Sequence, residues 1–272
     1  MTIHLCATCA VETEGAHSPD QICPICADER QYLPKGGQRW TTIDALIADR
    51  HTLEWFEVEP DLVGLTTTPG VGIGQQTMVV RTAEGNLIWD PPGLITDEAI
   101  DHVRRLGPVS AIAASHPHMY GVQLAWAEVL NAPVLVTAKD AEWLQRSGDA
   151  IELWSGERQV TSTITLYELG GHFPGSCVAL WSAGAGGRGV LLAGDTIFAN
   201  PDGTASFMRS YPNRIPLSAA VVLRLADATD RLEFDRLYNN FGAIIDADAR
   251  AVVRFSADRH AAWVRGDFDH LT

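Results

Sequence analysis

Three apolar runs in this 272-residue chain each stop at a residue able to bind a metal ion, and that shared placement narrows the folds open to it. "VSAIAA" leads into Ser115-His116-Pro117-His118, "ITLYELGG" leads into His172, and "GVLLAGD" ends on Asp195. Short apolar runs bounded by Gly and Pro read as buried strands. Residues just past such strands sit on loops that a rigid sheet positions. In an extended His-x-His both side chains face the same way, so two imidazoles can reach one ion. Three histidines and one carboxylate from separate strands suit Zn(II) or Fe(II) with a position left open for water.

The segments between these points alternate in type. "LVGLTTT", "QTMVVRT" and "NLIWD" read as strands, with Glu84-Gly85-Asn86 as a hairpin turn. A helix is expected from Thr96 to Leu106: Thr96 as N-cap, Asp97 and Glu98 in the first turn, and Gly107-Pro108 as the stop. A second helix puts Val122, Trp126, Val129 and Leu130 on one face, followed by a strand "PVLV" and a helix "KDAEWLQ". After Gly156 the runs "QVTSTITLYEL", "SCVALWSA" and "GVLLAGD" read as strands again. They precede a helix starting near Pro216, a strand "FDRLYNN", and a last helix from about Ala247 to Val264. Two strand-rich halves, each finishing in helices, make this an α/β protein with two central sheets covered by helices.

Residues 1–40 differ from the rest. They hold four of the five cysteines, as Cys6-x2-Cys9 and Cys23-x2-Cys26, and show little apolar periodicity. Two thiolate pairs at this spacing can close a tetrahedral site of the zinc-ribbon or rubredoxin kind, with zinc as the first choice and iron as the alternative. A module this short lacks an adequate core of its own, so bound metal would supply folding free energy. The expected division is 1–40 for the cysteine module and 41–272 for the α/β domain.

Bulk properties exclude several classes of partner. The chain is 46% apolar and 20% charged, ordinary for a globular protein, and its net charge is -14. A surface this acidic repels phosphate backbones and anionic lipid headgroups, so neither nucleic acid nor membrane is expected as a partner. There is no run of roughly 20 apolar residues and no secretion signal at the amino terminus, which places the protein in the cytoplasm. In that reducing compartment the cysteines read as metal ligands, not disulfides. Composition leaves the oligomeric state open.

In order along the chain, "SHPHMYG", "GGHFPGS" and "LLAGDT" resemble the motifs of the metallo-β-lactamase superfamily: a His-x-His-x-Asp-His block, a Gly-His-x-Pro-Gly-Ser block, a Gly-Asp block and a final Gly-His. The resemblance spans about Leu53 to Val264 and implies an αββα sandwich. It also implies that His116, His118 and His172 fill a three-histidine metal site, with Asp195 as the carboxylate that normally bridges two ions. The departures imply a single ion. Tyr120 and Gly121 stand where the family block has its Asp and third His, and Asn240 or Phe241 stands near the expected terminal His. The expected activity is hydrolysis of a small-molecule ester, lactone, thioester or amide, with one zinc in the hydrolase-like site and one in the cysteine module, and iron as the alternative in either.

Several side chains carry two readings. Asp195 is the candidate proton acceptor. Tyr120 is either a donor to a developing oxyanion or a pocket wall. Asp90, ending "NLIWD", either accepts from the far nitrogen of a ligating histidine or forms a turn before Pro91-Pro92. Arg209, in "SFMRSYPN", could meet an anionic group of the substrate. Cys177 reads as a small core residue and His260 as a packed or surface histidine. Two other functions remain open: a regulatory protein that has lost catalysis, and an iron-dependent redox protein.

Overall fold

The computed structural model describes residues 2–272. The chain opens with β1 (His4–Cys6), β2 (Glu12–Thr13), a one-turn helix α1 (Pro24–Ala27), β3 (Trp40–Thr42) and helix α2 (Ile43–Ala48). β1 lies at the centre of a three-stranded antiparallel sheet in the order β2-β1-β3. That sheet runs across residue 40, so the change of sequence pattern there is not a break in the structure.

Next come β4 (Thr52–Glu59), β5 (Leu62–Thr68), β6 (Thr77–Val80), β7 (Asn86–Trp89), helix α3 (Asp97–Leu106), β8 (Val109–Ala113), helix α4 (Gln123–Leu130), β9 (Val134–Thr137) and β10 (Ile151–Trp154). They form a seven-stranded sheet, β10-β9-β8-β7-β6-β5-β4, antiparallel from β4 to β7 and parallel from β7 to β10. The helix α3 starts as its caps dictate: the Thr96 side chain accepts from Ala99 N, and Gly107 ends it at φ 122°.

A second sheet follows from β11 (Glu157–Thr161), β12 (Ile164–Glu168), β13 (Cys177–Trp181), a turn of helix α5 (Gly184–Gly187) and β14 (Val190–Leu192). The two ribbons β15 (Phe198–Ala199) with β16 (Ala205–Ser206), and β17 (Met208–Ser210) with β18 (Ile215–Pro216), lead to helix α6 (Ala219–Thr229), β19 (Arg236–Tyr238), β20 (Ile244–Ile245) and helix α7 (Ala249–Arg265). The sheet order is β11-β12-β13-β14-β19-β20.

Strand alternation sorts the side chains into layers. Met78, Val80, Leu87, Trp89, Ala111 and Ala113 of the first sheet meet Ile164, Leu166, Cys177, Ala179, Trp181 and Leu192 of the second in one buried cluster. Their neighbours point the other way. Val79, Ile88 and Ile112 pack beneath α3 and α4, while Val178, Leu191 and Leu237 pack beneath α6 and α7. The result is the αββα sandwich. Leu5, Val11, Ile25 and all four amino-terminal cysteines belong to the same buried cluster as the α3 and α4 layer, so the cysteine module is built into one flank of the sandwich.

Three local expectations change. "QVTSTITLYEL" is a hairpin, β11 and β12, because Ser162 and Thr163 turn the chain. "KDAEWLQ" forms a 3-10 turn over Ala138–Trp143 and not an α-helix. The edge strand β4 lies outside the runs read as strands, although its Leu53, Trp55 and Val58 are half-buried against the core. Among the described residues no helix is long and apolar enough to cross a membrane.

Candidate metal centre

The three strand ends converge. β8 delivers Ser115 and His116, a 3-10 turn over Pro117–Met119 carries His118, the loop after β12 brings His172, and the loop after β14 brings Asp195. His116 is extended, but the turn, not an extended His-x-His, aims His118 at its neighbours. One ligand atom from each of the four residues lies within 4.8 Å of the others, and all four residues are buried. Gly194 permits this approach: at φ 53°, a Cβ there would sit 2.3 Å from the Ser115 side chain.

The spacing of these atoms tests whether an ion fits. His172 Nε2 lies 3.5 Å from His118 Nδ1 and 3.8 Å from Asp195 Oδ2, and His116 Nε2 is 3.6 Å from the same oxygen. Tetrahedral zinc with bonds of about 2.0–2.1 Å separates its ligand atoms by roughly 3.3–3.4 Å, so small movements would complete the shell. His116 Nε2 and Asp195 Oδ1 are buried without any hydrogen-bond partner, which is costly unless something else meets them. The donor set fits a transition metal.

Neighbours hold the rings in ligating orientation. His172 Nδ1 is 3.0 Å from the Met208 carbonyl and His116 Nδ1 is 2.9 Å from Ser115 Oγ, which leaves each Nε2 facing inward. Burial keeps the imidazoles neutral: His116 and His118 fall well below the usual histidine range, and His172 is lowered to about 4. The positive charge of Arg30 depresses all three further. Burial, and then the charge of Asp90, push Asp195 up to about 8.

Several assigned roles change. The Tyr120 hydroxyl donates to the Asp140 carbonyl at 3.0 Å, and its side chain packs in the core and does not line the cavity, so neither the oxyanion role nor the wall role fits it. Asp90 touches no ligating ring; its Oδ1 accepts the Ser115 N–H at 2.6 Å, fixing the strand end one residue before His116. Arg209 pairs with Glu29 of the cysteine module and does not line the cavity. Cys177 lies in the layer between the sheets, and His260 Nε2 meets the Leu217 carbonyl at 2.9 Å, far from the ligands in role.

One of the positions expected to hold a ligand of a second ion is closed to any side chain. A Cβ on Gly121, at φ 51°, would lie 2.3 Å from the Pro91 carbonyl oxygen, so no histidine fits there. Asn240 is buried with both amide atoms unpartnered. Phe241 turns toward the cavity mouth instead.

The cavity measures about 710 Å³ and reaches His118, His172 and Asp195. Ile73, Phe198, Tyr211 and Phe241 form one wall, and the cysteine module supplies much of the other through Ala7, Thr8, Arg30, Gln31, Tyr32 and Arg39. Arg30 is the cation that sequence reasoning missed. Its Nε donates to the His172 carbonyl at 2.7 Å, its Nη1 pairs with Asp28 at 2.7 Å, and its guanidinium lies 4.3 Å from the Phe173 ring centre. Ser210 Oγ donates to the Arg30 carbonyl, and Asn213 Nδ2 donates to the carbonyls of Glu29 and Gln31. The segment "SFMRSYPN" therefore clamps the module over the site.

The module has its own ligand set. The four cysteines are buried and unbonded, with Cys6 and Cys26 sulfurs 3.7 Å apart and Cys9 and Cys23 sulfurs 3.8 Å apart. Bonds of about 2.3 Å to a tetrahedral zinc put sulfurs roughly 3.8 Å apart, so this set also fits a metal. Gln38 Nε2 and Thr8 N donate to Cys6 Sγ, and the neighbouring Cys23, Cys26 and Cys9, with Gln38, hold its thiol well below the usual range.

No protein-family model matches the chain. It is 37% identical to YmaE of Bacillus subtilis (strain 168) over 273 residues, covering 99% of this chain and all of that one. Among solved structures it resembles DIM-1 metallo-β-lactamase with a TM-score of 0.59 and 17% identity, over 76% of this chain and 97% of the other. It resembles FIM-1 of Pseudomonas aeruginosa, a metallo-β-lactamase crystallised in a mono-zinc form, with a TM-score of 0.55 and 14% identity, over 78% of this chain and 96% of the other. The chain thus belongs to one family with YmaE, and its own fold is the metallo-β-lactamase fold with a four-cysteine cluster at the amino terminus.

Proposed function

We propose that the protein is a metal-dependent hydrolase with one ion held by His116, His118, His172 and Asp195, acting on an ester, lactone, thioester or amide of a small molecule. The observation that carries this reading is the convergence of four buried ligand atoms beside a cavity open to solvent, three of the site's polar atoms having no other partner. The bound ion would lower the pKa of a water and polarise the scissile carbonyl.

The chain's own residues divide the remaining work. Asp195 Oδ2 faces the imidazoles, and its carboxylate is the one group on the cavity lining that could accept a proton from a water held at the ion. Tyr211 donates to the Asp195 carbonyl at 3.0 Å and so holds that loop in place. Phe173 packs against all three imidazoles at 4.9–5.7 Å between ring centres and keeps water from behind them. Zinc is the proposed occupant of both donor sets, with iron the competitor; a visible absorption spectrum separates them, since d10 zinc is colourless.

The test combines metal analysis with turnover of a panel of esters, lactones, thioesters and amides. His116→Ala should lose about one equivalent of metal and at least a hundredfold in kcat/KM. Unchanged turnover in that variant would eliminate the mechanism.

A further inference from the structure

Two arginines of the module, Arg30 and Arg39, line the cavity, and their chemistry selects a ligand. Arg30 is 7% exposed and locked at three points: Nε on the His172 carbonyl, Nη1 on Asp28, and its face on Phe173. Its Nη2 makes no hydrogen bond and is not among the buried unpaired atoms, so this donor is open on a residue that lines the cavity. Arg39, exposed at the rim, has no carboxylate within 4.0 Å among the described residues. Its backbone carbonyl, accepting from Ala7 N at 3.0 Å, ties it to the cysteine loop.

The charge balance of the cavity follows from its lining. Asp195 is the one carboxylate there, and it is turned to the imidazoles. Asp28 answers Arg30, but among the described residues no carboxylate lies within 4.0 Å of Arg39. On a protein of net charge -14, this cavity is lined by two cations, one at the rim without a carboxylate and one held rigid with an open donor, the chemistry that attracts an anion. The facing wall of Ile73, Phe198 and Phe241 takes an apolar body.

We infer that the cysteine module is the specificity element of the hydrolase, and that Arg30 and Arg39 receive an anionic group, a carboxylate or a phosphate, on the substrate beside its scissile bond. This rests on the hydrolase reading of the same cavity, and the module then contributes recognition as well as structure. Arg30, already held in place, loses little entropy on binding an anion, so it discriminates charge on otherwise matched ligands.

The test uses the full metal-loaded chain and two matched probes, the mono-p-nitrophenyl ester of glutaric acid and its neutral counterpart p-nitrophenyl valerate. The wild type should favour the anionic ester, and Arg39→Glu should lower the ratio of the two kcat/KM values by at least tenfold, mostly through KM, with Arg39→Lys restoring part of it. A phosphate-bearing aryl ester run beside the glutarate ester tells which anion is preferred. Independently of turnover, glutarate should raise the unfolding temperature of the wild type more than its diamide does, and this difference should vanish in Arg39→Glu. Equal kcat/KM for the charged and neutral esters, with equal thermal shifts from glutarate and its diamide, would overturn the inference while leaving the hydrolase standing. No turnover of either ester, with the glutarate shift intact, would instead count against the hydrolase and keep the anion receptor.

Discussion

At the scale of single residues, burial decides which polar groups can act. Tyr120 stands beside two ligands in sequence, yet its turn points the phenol at the Asp140 carbonyl and removes it from the chemistry. Asp140 shows the same principle as a stability effect. Its Oδ1 accepts the Gly175 N–H at 2.7 Å and thereby pins the loop that carries His172, while Oδ2 has no partner. Burial raises its pKa from 3.8 to about 6, with Glu168 and Glu142 adding and Arg30 opposing. The folded state thus prefers the protonated acid: this contribution is fully present below pH 3.8, declines as the pH climbs to 6, and is absent above. Asp140→Asn keeps the acceptor without the charge. The stability of the variant relative to wild type should therefore increase between pH 4 and 6, by up to about 3 kcal/mol, and level off beyond. Urea denaturation at a series of pH values measures it, and a flat difference would show that Asp140 is not held protonated.

At the scale of elements, the cysteine module and the sandwich complete one another. Helix α4 begins at Val122, which has no side-chain cap, and the missing acceptor comes from β2: Glu12 Oε1 receives the Leu124 N–H while Oε2 pairs with Arg146 at 2.6 Å. A strand of the module thus caps the helix that follows the metal-binding turn. Glu12→Ala leaves the helix end open and Arg146 without its buried partner, and should cost about 2–4 kcal/mol in chemical denaturation. A loss below about 0.5 kcal/mol would mean that the module merely rests on the surface. The strand ends bearing His116, His172 and Asp195 were legible because each lies at the junction of an apolar run and a Gly- or Ser-bearing loop, a local pattern. Arg30 was not legible, since its role depends on contact with His172, 142 residues away. The failure of Arg209 has the same origin: only the docked module brings Glu29 within its reach.

At the scale of the molecule, two sheets bring three distant segments to one point, and a small metal-binding module closes the cavity above them. The αββα layering was legible because each inner strand alternates between the two faces it separates, as Met78 and Val80 do on one side and Val79 on the other. The integration of residues 2–40 into the flank was hidden, because the cysteines supply their contacts without a periodic pattern. The most direct measurement of the central claim is elemental analysis of the full chain beside a His116→Ala/His172→Ala variant whose cysteine cluster is intact. The account predicts about two ions per wild-type chain and about one in the variant, with the fold retained. Equal metal content in the two proteins would contradict it.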